Sequence, residues 1–341
     1  MTKNASPQTK RPTQQLLYSK ELRLFSKLTC FSTLFLIFAG GMVTSTGSGL
    51  AVPDWPLSYG SFFPPMVGGV FYEHGHRMIA SLVGLCTLIL AIWLFRKEKR
   101  QWVKTLGLCA LFAVILQGVL GGLTVLHFLP PELSISHAVL AQTFFVLTII
   151  IAFSQSKERA AMEFTSKKEN KTFLIISFIF IIFVYGQLFL GALMRHHHAG
   201  LAVYDFPTMA GYWIPPMDEG MLIKINAWRF MNSLDPVQMG QVHLHLAHRA
   251  GALILTIAIC ILNAVGLKSY PQESKVYKTI VYLNILFVFQ IGLGISTVAS
   301  LKEPITTSLH VVSGAAILGL SVLLLLRSAP LTLQGLKRAL A

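Results

Sequence analysis

The sequence predicts an all-α integral membrane protein: eight transmembrane helices forming two pseudo-symmetric four-helix bundles, with both termini cytoplasmic. Three observations carry this reading. The 341 residues are 54% hydrophobic and 12% charged, with a mean hydropathy of +0.63, far from the balance of soluble domains. Eight apolar stretches each approach the roughly 20 residues that a bilayer span requires. The basic residues collect in alternate connections between those stretches.

The spans fall at about 26–44, 75–95, 104–125, 136–153, 173–194, 243–266, 278–299 and 307–326. The N-terminal segment, 96–104, 154–171, 267–278 and the C-terminal segment hold 22 of the 28 Lys and Arg. The opposite side holds Arg77, Arg195, Lys224, Arg229, Arg249 and Lys302. The positive-inside rule places both termini in the cytoplasm, and an even number of spans agrees. Topology thus accounts for the net charge of +14, which excludes nucleic acid as a partner. Residues 1–25 are polar and basic and the first apolar run is long enough to span, so no cleavable signal is predicted. Cys30, Cys86, Cys109 and Cys260 all fall within spans, as buried thiols rather than a disulfide framework.

An internal repeat organises the chain. Residues 49–66 (GLAVPDWPLSYGSFFPPM) and 200–217 (GLAVYDFPTMAGYWIPPM) align without a gap at an offset of 151. Asp54 falls on Asp205, Pro56 on Pro207, Gly60 on Gly211, and Pro64-Pro65 on Pro215-Pro216. A longer second loop raises the offset to 172, which sets His76-Arg77 on His248-Arg249. At 173, Gln117 falls on Gln290, Gly121 on Gly294 and His137 on His310. The expected units are a cytoplasmic tail (1–25), a first bundle (26–153), a basic cytoplasmic linker (154–172), a second bundle (173–326) and a cytoplasmic tail (327–341). Parallel repeats imply a pseudo-two-fold axis along the membrane normal.

All eleven histidines lie at the span ends or loops away from the basic connections. Histidine is costly in lipid and is a common metal ligand. The repeat keeps two per half: His76 with His248, opening the second helix of each unit, and His137 with His310, opening the fourth. Facing histidines on two bundle helices are suited to the two axial positions of a heme. Two pairs imply two heme sites. The run His196-His197-His198 has Ser45, Thr46 and Gly47 as counterparts and reads better as a solvated loop than as a metal site. His74, His127 and His243 also lack histidine counterparts and have no assigned role.

The halves differ where chemistry would show. Glu73 stands where the second half has His245. Three residues from His76, it shares a helix face with that ligand and could serve as a base beside a bound macrocycle. The competing reading is an acid favoured by a helix N-terminus. The chemistry is therefore assigned to the first half and a fixed cofactor to the second. Arg77 and Arg249 each follow a ligand histidine; they suit heme propionates, and snorkelling to the headgroups is the alternative. The proline-rich loops cannot continue as helix and are expected over the mouth of each bundle, with Trp55, Phe62, Phe63, Tyr212 and Trp213 as interfacial anchors. Residues 221–234 have the spacing of a short interfacial helix.

Taken together, these residues resemble the heme A synthase family from about 26 to 326. The resemblance rests on the GG-x-x-T…GL…D-W-P start of the first loop, Glu73-x-x-His76-Arg77, His137, His248-Arg249 and His310. It implies oxidation of the C8 methyl of heme O to the formyl group of heme A. It further implies heme b as cofactor in the second half, on His248 and His310. His76 and His137 would flank the substrate heme, with Glu73 as the acidic catalytic residue. Arg77 and Arg249 would serve the respective hemes. Some relatives carry a cysteine pair in the first outer loop; residues 45–73 contain none, so a thiol step there is not open to this chain.

The expected partners are heme O, a heme O synthase, a separate electron-transfer partner and membrane lipid; a homo-oligomer is compatible. The short N-terminus favours a bacterial cytoplasmic membrane over a mitochondrial inner membrane. Two rival readings are a di-heme b-type cytochrome that only passes electrons and a heme transporter or chaperone.

Overall fold

The computed structural model describes residues 19–162 and 170–329. The predicted tails 1–25 and 327–341 and the linker 154–172 therefore lie partly outside the described residues. Within them the chain is helical throughout: α1 (Lys20–Ser45), α2 (Gly69–Lys97), α3 (Gln101–Leu126), α4 (Pro131–Ser154), α5 (Lys157–Met162), α6 (Lys171–His196), α7 (Glu219–Met231), α8 (Met239–Ser269), α9 (Lys275–Ala299) and α10 (Pro304–Ser328). Eight of these described helices, all but α5 and α7, are long and apolar enough to cross a membrane.

Each long helix overruns its apolar stretch. Hydropathy ends where the lipid ends, whereas backbone hydrogen bonding continues until something caps it. Ser19 caps α1 by accepting from Leu22 N–H at 3.0 Å, so the helix begins at Lys20, six residues before the predicted span. Gln238 and Gln241 form a reciprocal capping box that opens α8 at Met239. The interfacial helix predicted at 221–234 is α7, opened by the Asp218 carboxylate on Met221 N–H at 2.8 Å. The short α5 lies in what the sequence suggests is a plain basic linker, held by Glu158 against Arg327 (2.9 Å) and Lys275 (3.2 Å).

The packing order is cyclic within each half. Helix α1 packs on α2, α2 on α3, α3 on α4, and α4 returns to α1. Likewise α6 packs on α8, α8 on α9, α9 on α10, and α10 returns to α6. The halves meet through α1 on α10 and α4 on both α6 and α10. One apolar core, around Val83, Leu90, Leu94 and Phe144, fills the first half. A larger one, from Phe145 and Phe153 to Phe180, Leu262, Ile280 and Leu318, fills the second half and the seam. Outward, Phe31, Phe112 and Val288 are 68–70% exposed, which a helix can sustain only against an apolar surrounding.

A third core has no counterpart in the first half among the described residues. Ala199, Ala202, Val203, Met221, Ile225, Val237 and Val242 close the second loop and α7 down onto the start of α8. This core is the physical content of the longer second loop.

Candidate heme sites at the histidine-bearing end

Each long loop is tied to its bundle by one arginine, in the same way in both halves. Arg77 donates to the carbonyls of Asp54 (2.8 Å), Leu57 (2.9 Å) and Val52 (3.1 Å). Arg249 donates to Asp205 (2.7 Å), Thr208 (3.1 Å) and Val203 (3.4 Å), the residues 151 positions later. Loop carbonyls buried against the bundle need such donors, and the guanidinium fork supplies several at once. A propionate on Arg77 or Arg249 would therefore have to share a guanidinium already committed to the loop.

The turn beneath each arginine is also built twice. The Asp54 carboxylate accepts from Tyr59 N–H at 2.7 Å and Gly60 N–H at 2.9 Å. Asp205 accepts from Ala210 N–H at 2.6 Å and Gly211 N–H at 2.8 Å. Gly60 and Gly211 have φ of 69° and 83°, a left-handed conformation that glycine adopts without cost. Backbone pairs Ser58–Ser61 and Met209–Tyr212 close the two turns.

Position 73, or 245 in the second half, completes the clamp with different chemistry. Glu73 is buried; its Oε1 meets Arg77 Nη2 at 2.6 Å and its Oε2 accepts from Val52 N–H at 2.8 Å. His245 is equally buried; its Nε2 accepts from Arg249 Nε at 3.0 Å while Nδ1 lies 3.0 Å from the Ala199 carbonyl. Both side chains join the loop backbone to the arginine. Only one brings a negative charge.

The four repeated histidines sit on glycines. A Cβ on Gly40 would come within 3.0 Å of His76 Cε1, and one on Gly191 within 3.3 Å of His248 Cε1. Gly121 faces His137 at 3.2 Å and Gly294 faces His310 at 3.0 Å in the same sense. Any larger residue at these positions would push the ring out of place. His76 and His137 lie within electrostatic reach of each other, as do His248 and His310. The structure thus brings together the pairs that the repeat singled out.

Neighbouring helices also hold the histidine backbone. Gln117 donates to the His137 carbonyl at 2.9 Å, and Gln290 to that of His310 at 3.1 Å. Gln187 donates to the His248 carbonyl at 2.8 Å and lies 3.1 Å from its Nδ1. The counterpart of Gln187 in the first half is Leu36, which packs into the apolar core. His76 therefore lacks the contact that the other three have. The Gln117–Gln290 recurrence is visible in the sequence, but Gln187 has no copy and gives no such signal.

Nδ1 of His76, His137 and His310 is buried without a partner. With Nδ1 enclosed, Nε2 is the ring nitrogen left for a ligand. Among the described residues no group of three or more His, Cys, Asp and Glu is placed to hold a bare metal ion. Two neighbouring imidazoles per half, each bedded on a glycine, suit a heme better than an ion.

The remaining histidines separate from these pairs. His74 is buried and its Nδ1 meets Ser58 Oγ at 2.8 Å. His197 and His198 are exposed, as the solvated-loop reading expects, whereas His196 is the last residue of α6 and half-buried. His127 and His243 are exposed too. The four cysteines are free, as expected, but none is buried within the protein: Cys30 and Cys86 are half-buried, and Cys109 and Cys260 lie exposed on their helices.

Residues 23–322 match a family model described as COX15-CtaA, cytochrome oxidase assembly protein. Among curated relatives, a heme A synthase of Alkalihalophilus pseudofirmus is 30% identical over 288 residues, covering 82% of this chain and 88% of the relative. One from Halalkalibacterium halodurans is 28% identical over 302 residues, covering 85% and 91%. Another, from Shewanella oneidensis, is 26% identical and covers 89% and 94%.

Proposed function

The chain belongs to the COX15-CtaA family of cytochrome oxidase assembly proteins, and from that premise we propose the part each half plays in heme A synthesis. It is a multi-pass membrane oxidoreductase that acts on heme O, as its heme A synthase relatives indicate. The C8 methyl is converted to formyl by two successive hydroxylations, each a two-electron oxidation that requires an oxidant from outside the chain, after which the hydrated aldehyde loses water. The observation that carries the division of labour is the pair of matched clamps, with a carboxylate in one and an imidazole in the other.

His76 and His137 flank heme O in the first half. Glu73 is the catalytic acid–base: each of its oxygens has one donor and keeps lone-pair capacity for a proton. His248 and His310 would hold heme b in the second half, and that group would supply electron transfer when bound. Arg77 and Arg249 fix the loops that shield the hemes from water. The bundles 26–153 and 173–326 are related by a pseudo-two-fold axis along the membrane normal. Their basic ends and both termini face the cytoplasm of a bacterial cell. A heme O synthase delivers substrate, and a separate protein or carrier exchanges electrons.

The test is expression with a heme O source, purification and analysis of extracted hemes. The wild type is expected to yield heme A and hydroxylated heme O. Glu73→Gln is expected to retain bound heme while conversion falls by about 100-fold or more, the usual scale for a lost acid–base group. Folded, heme-loaded wild type that returns heme O unchanged would instead support a heme carrier or an electron-transfer cytochrome.

A further inference from the structure

Arg195, on the last turn of α6, is the cation that neither loop clamp uses. Its counterpart in the first half is Thr44, so it belongs to the seam and not to the repeat. Nη2 donates to the Gly41 carbonyl at 2.8 Å and to Ser45 Oγ at 2.7 Å, both on α1. No carboxylate of the described residues pairs with it. A half-buried guanidinium without a countercharge is costly, and its Nε and Nη1 have no hydrogen-bond partner among the described residues.

Its position relates it to both heme sites. Gly191, one helical turn earlier on the same face of α6, carries the His248 ring. Gly40, next to the carbonyl that Arg195 grips, carries the His76 ring. His310 is within electrostatic reach of Arg195. Lys302, just before α10, adds a second positive charge. Burial lowers its pKa most, and the charges of Arg229 and Arg195 lower it further. The neighbouring Glu303 carboxylate is spent on the Ile305 and Thr306 N–H groups that open α10, so Arg195 stands at the seam with no paired carboxylate among the described residues.

Resting on the heme reading above, we propose that Arg195, assisted by Lys302, forms a carboxylate site that takes a heme propionate at the seam between the halves. A planar fork matches a carboxylate bidentately, and a charge-assisted pair of this kind is far stronger than a neutral one. The propionate has two sources, heme b in the second half or substrate heme in the first.

The experiment titrates the purified full-length protein, stripped of heme, with protoheme and with its dimethyl ester, following the absorbance of the bis-histidine complex. Wild type is expected to prefer the free acid by about tenfold to a hundredfold, the range for a hydrogen bond to a charged group. Arg195→Gln should collapse that preference, and Lys302→Gln, at an exposed position, should reduce it while leaving the bonds from Arg195 to α1 in place. Repeating the titration in His248→Ala and His76→Ala identifies the source: the preference disappears with the site that contributes the propionate. An Arg195→Gln protein that keeps the full preference overturns the proposal while leaving the heme reading intact. If Arg195→Gln does not fold, an undiminished preference in Lys302→Gln and Arg195→Lys overturns it equally. Wild type that binds neither compound overturns the heme reading itself.

Discussion

The two halves use the same loop turn, the same arginine clamp and the same glycine-seated histidines, and two of the positions at which they differ touch that frame directly. Position 73 is a carboxylate in the first half, while its counterpart 245 is an imidazole in the second. Position 36 is leucine in the first half, while 187 is a glutamine gripping its histidine in the second. The difference teaches that one repeated frame can carry unlike side chains at matching positions, and the proposed division into a reactive and a supporting site rests on those positions. A carboxylate can move protons where substrate must turn over; an extra clamp suits a cofactor that stays.

The largest break in this comparison is expected from the arginines. In Arg77→Met, Glu73 is left buried and charged without its partner; the two side chains are only 17% and 4% exposed. Removing one member of such a pair costs about 3–5 kcal/mol. Arg249→Met leaves a neutral His245, for which about 1–3 kcal/mol is the scale of an unsatisfied group. Thermal inactivation in detergent, followed by loss of the bis-histidine spectrum, should rank Arg77→Met well below Arg249→Met. Equal losses would mean that the charge on Glu73 contributes nothing to the first clamp. Arg77→Met with Glu73→Gln should recover part of the difference.

A smaller effect is expected at the glutamine. Gln187→Leu gives the second half the first half's residue and removes one backbone clamp, worth about 1 kcal/mol. Under the proposed assignment, the heme of the second half should then leave for a scavenger protein several-fold faster, with the protein still folded. The amide also bears on ring tautomer: Gln187 Oε1 is buried and unpartnered, and turning it toward Nδ1–H would leave Nε2 free for iron. The reciprocal Leu36→Gln should slow heme loss from the first half. An unchanged rate in both variants would remove the clamp from the comparison.

How much of this was legible beforehand follows from what was copied. The histidine pairs, Arg77 and Arg249, and the Asp54 and Asp205 turns recur at matching positions, so the repeat singled out these residues; for the arginines it suggested propionates, whereas both are bonded to loop carbonyls. Gln187 and Arg195 have no copy, and nothing in their sequence surroundings distinguishes them. Span existence was legible because hydropathy reports it directly. Which helices touch was less so, since lipid-facing Phe112 and core-facing Phe144 are equally apolar and burial leaves little periodic trace in a membrane helix. The overrun of α1 to Lys20 and the short α5 depend on caps and ion pairs, which hydropathy does not register.

The smallest expected effect distinguishes the two turns by pH. Backbone N–H donors from Gly60 and Tyr59 hold the Asp54 carboxyl below its usual range. For Asp205, burial pulls upward, but the Thr208 hydroxyl and the Gly211 and Ala210 N–H groups outweigh it and the net shift is also downward. A carboxylate whose pKa is depressed in the ordered loop stabilises that loop at every pH above its unfolded value, about 3.9. The contribution disappears as pH falls through the lower, ordered-state value. Amide exchange at Tyr59 and Gly60, and at Ala210 and Gly211, corrected for intrinsic rates, should therefore be flat from pH 7 to about 4 and accelerate below it. The acceleration should be steeper in the second loop, where Asp205 is partly buried and also bonded to Thr208 at 2.5 Å, than around the exposed first turn. Asp205→Asn should flatten the second profile and leave the first untouched. If both turns respond identically, their surroundings do not distinguish them, and the asymmetry between the halves is confined to Glu73, Gln187 and the seam.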